Sequence, residues 1–365
     1  MILMNDFKAE PEALRREELA ALDRVLRSGW YILGEEGRTF EKEWARRCGV
    51  RRAVGTGNGM DAIEIGLRAL RIGPGDEVVT TPMTAFATVL AVLRAGATPV
   101  LADVDPSTAL LDPESVRRCL SPKTKAVLVV HLYGQVRRPD VWGTFCRENK
   151  IEFLEDAAQS HLAEWDGRRA GSFGAWGAFS FYPTKNLGTA GDGGALTTDR
   201  EEVSALAERL RNYGQSERYH HPELGLNSRL DEIHAALLGV RLAWVERFTA
   251  RRREIARAYF TGLRNPGVSL LSPPAQEKSH VHHLFVALCG ERDRLAAFLK
   301  DRGVQTLVHY PVPVHRQEPC RTLRVDPKGL RNAEAHAERC LSLPCHPQMT
   351  DDQVGQVIEA VNAFR

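Results

Sequence analysis

The chain has 365 residues, with 49 Lys plus Arg against 47 Asp plus Glu and a formal charge of +2. Single cores stop growing near ~250 to 300 residues, so two unequal domains are expected, and the balanced charge excludes bulk attraction to nucleic acid and leaves any anion to be caught locally. Seven cysteines, an odd count with no CxxC pair, indicate a reducing compartment and not a disulfide framework.

The stretch Met1–Lys8 turns polar too soon for a secretion signal, and no apolar run approaches the ~20 residues that cross a bilayer; a soluble, cytoplasmic protein with no membrane partner is expected. An amphipathic helix is predicted over 12–27. It is followed by the aromatic break Ser28-Gly-Trp-Tyr-Ile-Leu-Gly34 and a second helix over 37–48. Beyond Ala53-Val-Gly-Thr-Gly-Asn-Gly59, short Val-rich strands (77–81, 98–103, 126–131, 151–155) alternate with helices near 86–95 and 138–149. That alternation predicts a mostly parallel sheet covered by helices on both faces. Ser228, three residues before Asp231, reads as a capping box. Ile233, Leu237, Val240 and Trp244 then share one face of a long connecting helix reaching toward Tyr259. A strand over 282–289 and helices over 292–302 and 351–364 make a smaller α+β domain. The expected division is 1–250 and 251–365, with the boundary near 250–265.

Chemistry concentrates at Lys185, in Ser180-Phe-Tyr-Pro-Thr-Lys185-Asn-Leu-Gly-Thr-Ala-Gly-Asp-Gly-Gly194. A lysine among small and polar residues just after an apolar run suits an amine held in a site, one able to form a Schiff base with a carbonyl cofactor such as pyridoxal phosphate. Asp156 ends a predicted strand, where open sheets bind ligands, and its carboxylate suits a protonated pyridine nitrogen; it also suits a cap for a helix beginning at Ala157. Gly57-Asn58-Gly59-Met60-Asp61 opens a helix whose Met60, Ile63, Leu67 and Leu70 share a face. The free N–H groups at that end can receive a phosphate, or the segment is an ordinary capped turn. Among 12 histidines, His131 and His161 stand near these positions, while His282 and His283 read as strand residues. Cys345-His346 has no sequence neighbours that complete a zinc site, so no metal is expected.

Together these stretches, with Asp103-Val-Asp105, His131-Leu-Tyr-Gly134, Glu155-Asp-Ala-Ala-Gln159, Arg211-Asn-Tyr-Gly214, Gly225-Leu-Asn-Ser-Arg-Leu-Asp231 and His309-Tyr-Pro-Val-Pro-Val-His315, resemble the DegT/DnrJ/EryC1/StrS family of nucleotide-sugar aminotransferases. The resemblance implies an aspartate aminotransferase-like, fold-type I α/β large domain and a smaller C-terminal α+β domain. It also implies an internal aldimine at Lys185, pyridinium pairing at Asp156, cofactor contact from Gln159, phosphate contacts from Gly59, Met60 and Ser180, and Asn227 completing the phosphate cup across a homodimer. Ala85 stands where the family often has the aromatic that stacks on the cofactor; either Phe86 substitutes or the stack is weaker. Leu162 stands where glycine is frequent, and its side chain either reshapes the sugar site or packs into the core.

The reaction implied has two halves, with pyridoxal phosphate cycling through pyridoxamine phosphate. L-Glutamate gives up its amino group while Lys185 moves the proton, and the amine is then passed to a keto group of a nucleotide-linked deoxysugar. Trp30, Tyr31, His161, Tyr182, Arg229, His309 and Tyr310 are expected around the sugar nucleotide, with Arg218-Tyr-His-His221 also available to its diphosphate. The 57–61 and 28–34 segments look like members acting at C3 of a dTDP-linked 6-deoxyhexose. Amination at C4 and a UDP or GDP carrier remain open, as does a cofactor-binding regulatory protein without turnover. Dehydrating relatives place histidine at the lysine position, which Lys185 argues against.

Overall fold

The computed structural model describes residues 1–365. Twelve strands are present: β1 (Arg52–Thr56), β2 (Glu77–Thr80), β3 (Thr98–Leu101), β4 (Thr124–Val130), β5 (Glu152–Asp156), β6 (Glu164–Trp165), β7 (Arg168–Arg169), β8 (Trp176–Ser180), β9 (Gly194–Thr198), β10 (Val268–Leu270), β11 (Phe285–Cys289) and β12 (Cys340–Leu343). Seven of them form the central sheet in the order β1-β9-β8-β5-β4-β2-β3. Only β9 runs against the others, so the predicted mostly parallel α/β sheet is what the chain builds.

Both faces are covered, as the Val-rich runs require. On one face, helices Gly59–Ala69, Phe86–Arg94 and Glu201–Leu210 pack through residues such as Ile65, Leu67 and Val92 onto Val78, Leu128 and Leu154. The other face meets helices Pro113–Cys119 and Pro139–Asn149 through Val116, Trp142 and Phe145. At the β8–β9 end, helix Glu35–Cys48 brings Phe40 and Trp44 onto Phe179 and Phe181, with ring centroids 4.9 Å apart for Trp44 and Phe179.

The register of this sheet puts the site together. Thr56 pairs with Gly194 and Gly194 with Ser180, so the turn leaving β1 and the end of β8 lie side by side. Asp156 pairs with Val130 on one side and Ala178 on the other. A Cβ on Gly59 would come within 2.8 Å of the Ser180 Cβ; only glycine lets the helix end approach β8 this closely.

The second body holds the antiparallel sheet β10-β11-β12 and helices Arg292–Asp301, Arg331–Arg339 and Asp351–Asn362. The division expected at residue 250 falls inside helix Val245–Gly262, and Ile2, bridged to Val304, lies in this body's core. The expected long connecting helix is two helices, Glu232–Arg241 and Val245–Gly262. The reason is that the first packs Leu238 onto the large-domain core and the second packs Ile255 and Tyr259 onto the other. Arg241, the last residue of the first, binds Glu10 at 2.7 Å and Glu18 at 2.5 Å.

Other expectations are corrected. Ser228 makes no capping box; its Oγ accepts from Gly57 N at 2.9 Å instead. The strand expected from 282 starts at Phe285, because His282 takes a positive φ of 44° that ends extended backbone. No helix begins at Ala157. No helix is long and apolar enough to cross a membrane.

Candidate active site

Asp156 sits at the carboxyl end of β5, 6% exposed. Its Oδ2 accepts from Thr88 Oγ1 at 2.7 Å and its Oδ1 from Ala158 N at 3.1 Å. Thr84 Oγ1 lies 2.7 Å from Thr88 Oγ1, and since Thr88 donates to the carboxylate, Thr84 donates to Thr88. The three side chains are buried, so this chain of hydroxyls holds the carboxylate in one orientation. Sequence reasoning missed both threonines. Their signal was two hydroxyl residues four apart at the start of an otherwise apolar helix.

Lys185 follows β8 in a turn closed by its own N–H to Tyr182 O at 2.9 Å. The lysine as a whole keeps some exposed surface, but protein atoms crowd its amine. That desolvation lowers its pKa from 10.5 to about 8, while the Asp156 charge pulls the other way. The same ammonium acts on three histidines: burial and the Lys185 charge push His161 down to about 3, His309 down to about 4, and His283 well below its ordinary value. Neutral imidazoles therefore surround the amine. His283, read from sequence as a strand residue, is bound to Asn186 Oδ1 at 3.2 Å beside the lysine.

Helix Gly59–Ala69 starts against Ser180, and Asn58 caps it by accepting from Asp61 N at 2.8 Å. Gly59 and Met60, the first two residues, have N–H groups without an intrahelical acceptor. Two free donors, a hydroxyl and a helix N-terminus suit a phosphate dianion. A buried carboxylate, a depressed amine and this cradle lie at the carboxyl ends of β5, β8 and β1, and that donor set fits pyridoxal phosphate: ring nitrogen, aldehyde and phosphate each have a counterpart.

The remaining predicted residues divide in two. Gln159 lies next to the site with its amide tied at both ends, Oε1 accepting from Tyr133 N at 2.6 Å and Nε2 donating to Tyr310 OH at 3.1 Å. Tyr133 OH donates to His309 O at 2.5 Å, so Tyr133, quoted within a motif but assigned no role from sequence, couples Gln159 to the 309–310 loop. Burial and the Asp156 charge raise Tyr310 to about 12. Phe86 opens its helix half-buried, packed against the cluster of Met83 and Val89. His161 has no exposed surface: it lies among Trp44, Phe179 and Phe181 and donates Nε2–H to Ser180 O at 2.8 Å. It braces the end of β8 and presents no surface to a sugar. Leu162, with a positive φ of 61°, packs into the core.

Trp30, Tyr31 and Tyr182 are exposed by 63%, 46% and 51%, and Asn227 is exposed too. Arg229 binds Asn212 Oδ1 at 3.0 Å over the Tyr213 ring. Within one chain no side chain among these hydrogen-bonds to Lys185 or Asp156; Tyr182 meets the lysine only through its backbone carbonyl. Glu232 sets the rim, its buried carboxylate accepting from Gly34 N and Gly37 N at 2.9 Å and Glu36 N at 2.8 Å.

The model of the DegT/DnrJ/EryC1/StrS aminotransferase family matches residues 12–362. The dTDP-3-amino-3,4,6-trideoxy-alpha-D-glucose transaminase of Streptomyces venezuelae is 44% identical over 98% of this chain and 95% of its own. The dTDP-3-amino-3,6-dideoxy-alpha-D-galactopyranose transaminase of Aneurinibacillus thermoaerophilus is 40% identical over 100% and 99%. Among solved structures, DesV of S. venezuelae in complex with a ketimine intermediate superposes with a TM-score of 0.95 at 43% identity, covering 99% of this chain and 97% of that one.

Proposed function

The chain belongs to the DegT/DnrJ/EryC1/StrS aminotransferase family, and from that premise we propose that it moves the amino group of L-glutamate to the C3 keto group of a dTDP-linked 6-deoxyhexose, using pyridoxal phosphate. The pairing of the depressed amine of Lys185 with the buried carboxylate of Asp156 carries the reading. The C3 position is supported by the two relatives named above, both transaminases of 3-amino sugars.

When bound, pyridoxal phosphate supplies an aldehyde that takes up amino groups and a ring that draws off electrons released at the substrate Cα. The chain does the rest. Asp156, oriented by Thr88 and Ala158 N, would pair with the ring nitrogen. Gly59 N–H, Met60 N–H and Ser180 Oγ would receive the phosphate, Asn227 would complete that cup from a second copy, and Phe86 would stack on the cofactor. Gln159, anchored by Tyr133, would contact it as well. Lys185 would hold the aldehyde until glutamate displaces it; the freed amine, with a pKa of about 8 and a substantial share of it neutral near that pH, would take the proton from glutamate Cα and, in the second half, would move a proton in the opposite sense onto the sugar C3. Trp30, Tyr31, Tyr182, Arg229, His309 and Tyr310 border the sugar nucleotide.

A homodimer is supported by the run of exposed apolar residues Trp30, Tyr31 and Ile32, with Tyr213 and Leu224 exposed as well, since exposed aromatic surface suits an interface. A cytoplasmic location is supported by seven cysteines, all free. The test is incubation of the loaded enzyme with glutamate and matched 3-keto and 4-keto dTDP-, UDP- and GDP-deoxysugars. A 3-amino dTDP product assigned by NMR is expected; a 4-amino product overturns the position, and no product with any carrier overturns the substrate class.

A further inference from the structure

On the sheet face away from the Gly59 helix, a cavity of about 240 Å³ opens between the end of β4, the loop after β3 and helix Pro139–Asn149. Its walls include Leu111, Pro113, Val129, Val141 and Trp142, and Arg137 enters among them. Arg137 is half-buried; its Nη1 is shielded from solvent without a hydrogen-bond partner, and the side chain forms no ion pair. A guanidinium stays charged at every accessible pH, so its charge is open to an anionic partner.

The neighbouring groups do not answer that charge. Asp105, on the rim, takes hydrogen bonds on Oδ1 from Ser107 and Thr108 and forms no ion pair with Arg137. His131, on the floor, is bound through Nε2 to Glu155 at 2.9 Å. Arg138 is turned to Asp140 at 3.3 Å. An apolar cavity of roughly 150 Å³ accepts benzene, so this one has room for a ring-sized body plus an anionic group.

We propose that this cavity is a second binding site, distinct from the Lys185 centre, for a small organic carboxylate whose apolar body lies against Trp142 and Val141 and whose carboxylate pairs with Arg137. Guanidinium and carboxylate match in planar geometry, and the ligand supplies the counter-charge the protein withholds.

Benzoate, its neutral isostere benzamide and inorganic phosphate serve as probes, with binding to the full-length, cofactor-loaded protein read by calorimetry. Saturable benzoate binding is expected, with benzamide weaker by about 10- to 100-fold, the worth of a charge-assisted hydrogen bond. Arg137→Gln should lose benzoate to the same extent, and Val141→Trp, which fills the cavity from a half-exposed helix position, should lose it as well. Lys185→Ala should keep it, separating this site from carboxylate binding at the catalytic centre. Equal affinity for benzoate and benzamide, undiminished binding to Arg137→Gln, or loss in Lys185→Ala would each overturn the site. Phosphate binding as tightly as benzoate would overturn the apolar half of the assignment.

Discussion

The Lys185 centre and the Trp30–Gly34 rim are built by opposite means. The centre stands on strand ends: Asp156 is locked by register between β4 and β8 and by a hydroxyl chain, and the imidazoles of His161 and His309 near Lys185 are neutral. The rim is held at its base by Glu232 and by the bridge of Ile32 to Asp231, while Trp30, Tyr31 and Ile32 stay exposed. One chain holds the reacting groups, whereas on the proposed reading the substrate surface and Asn227 are completed by a second copy. Rigid strands hold proton-transfer groups within narrow tolerances, and exposed aromatic loops supply contact area that a partner finishes.

The contrast breaks most decisively at Lys185. Lys185→Ala should lower transamination by about 10³-fold or more, because one group both holds the aldehyde and moves the protons. Its melting temperature should stay level or rise, since a desolvated amine is removed. Steady-state rates and thermal melts read the two effects, and a collapse in melting would mean that the lysine is part of the scaffold. Asn227→Ala should weaken pyridoxal phosphate by about tenfold, within the range for a hydrogen bond to a charged group. Mixing that variant with Lys185→Ala chains should restore part of the lost activity, because each mixed dimer holds one intact site. No recovery on mixing would place Asn227 within its own chain's site.

Thr88→Val sharpens the account of the centre. Loss of one neutral donor to a buried carboxylate should raise the cofactor Kd by about 3- to 10-fold and shift the pH profile of the bound chromophore, and Thr88→Ser should recover both. A scaffold role would leave that pH profile in place.

Acid sensitivity is read on stability and not on turnover. His161 and His309 titrate near 3 and 4 in the folded chain against an ordinary 6.5. Between those values the unfolded chain binds the extra protons, so stability is full above 6.5 and is lost as the pH falls toward 3. Urea melts from pH 8 to pH 4 should show the decline, and His161→Phe should flatten it.

Much of this was legible beforehand for definite reasons. Val-rich runs between helical periods imply a covered parallel sheet, and Lys185, Asp156 and Gly59 carry chemistry in their residue types. Thr88 and His283 were not legible, because a hydroxyl or an imidazole in an apolar segment gives no sign of what it meets across the fold. Ser228 misled because its spacing to Asp231 satisfied a local rule while Gly57, far away in sequence, took its hydroxyl. The break before Val245 was hidden for a similar reason: a continuous apolar face does not reveal that two cores lie at different angles.

Residue chemistry and periodicity, which are local, already determined the sheet, its helices and the group that reacts. Tertiary structure alone decided which side chains surround that group, how far its proton affinity falls and which carboxylate stays oriented. Those properties arise from burial and from contacts between residues distant in the chain, and they exist only once the strands are in register.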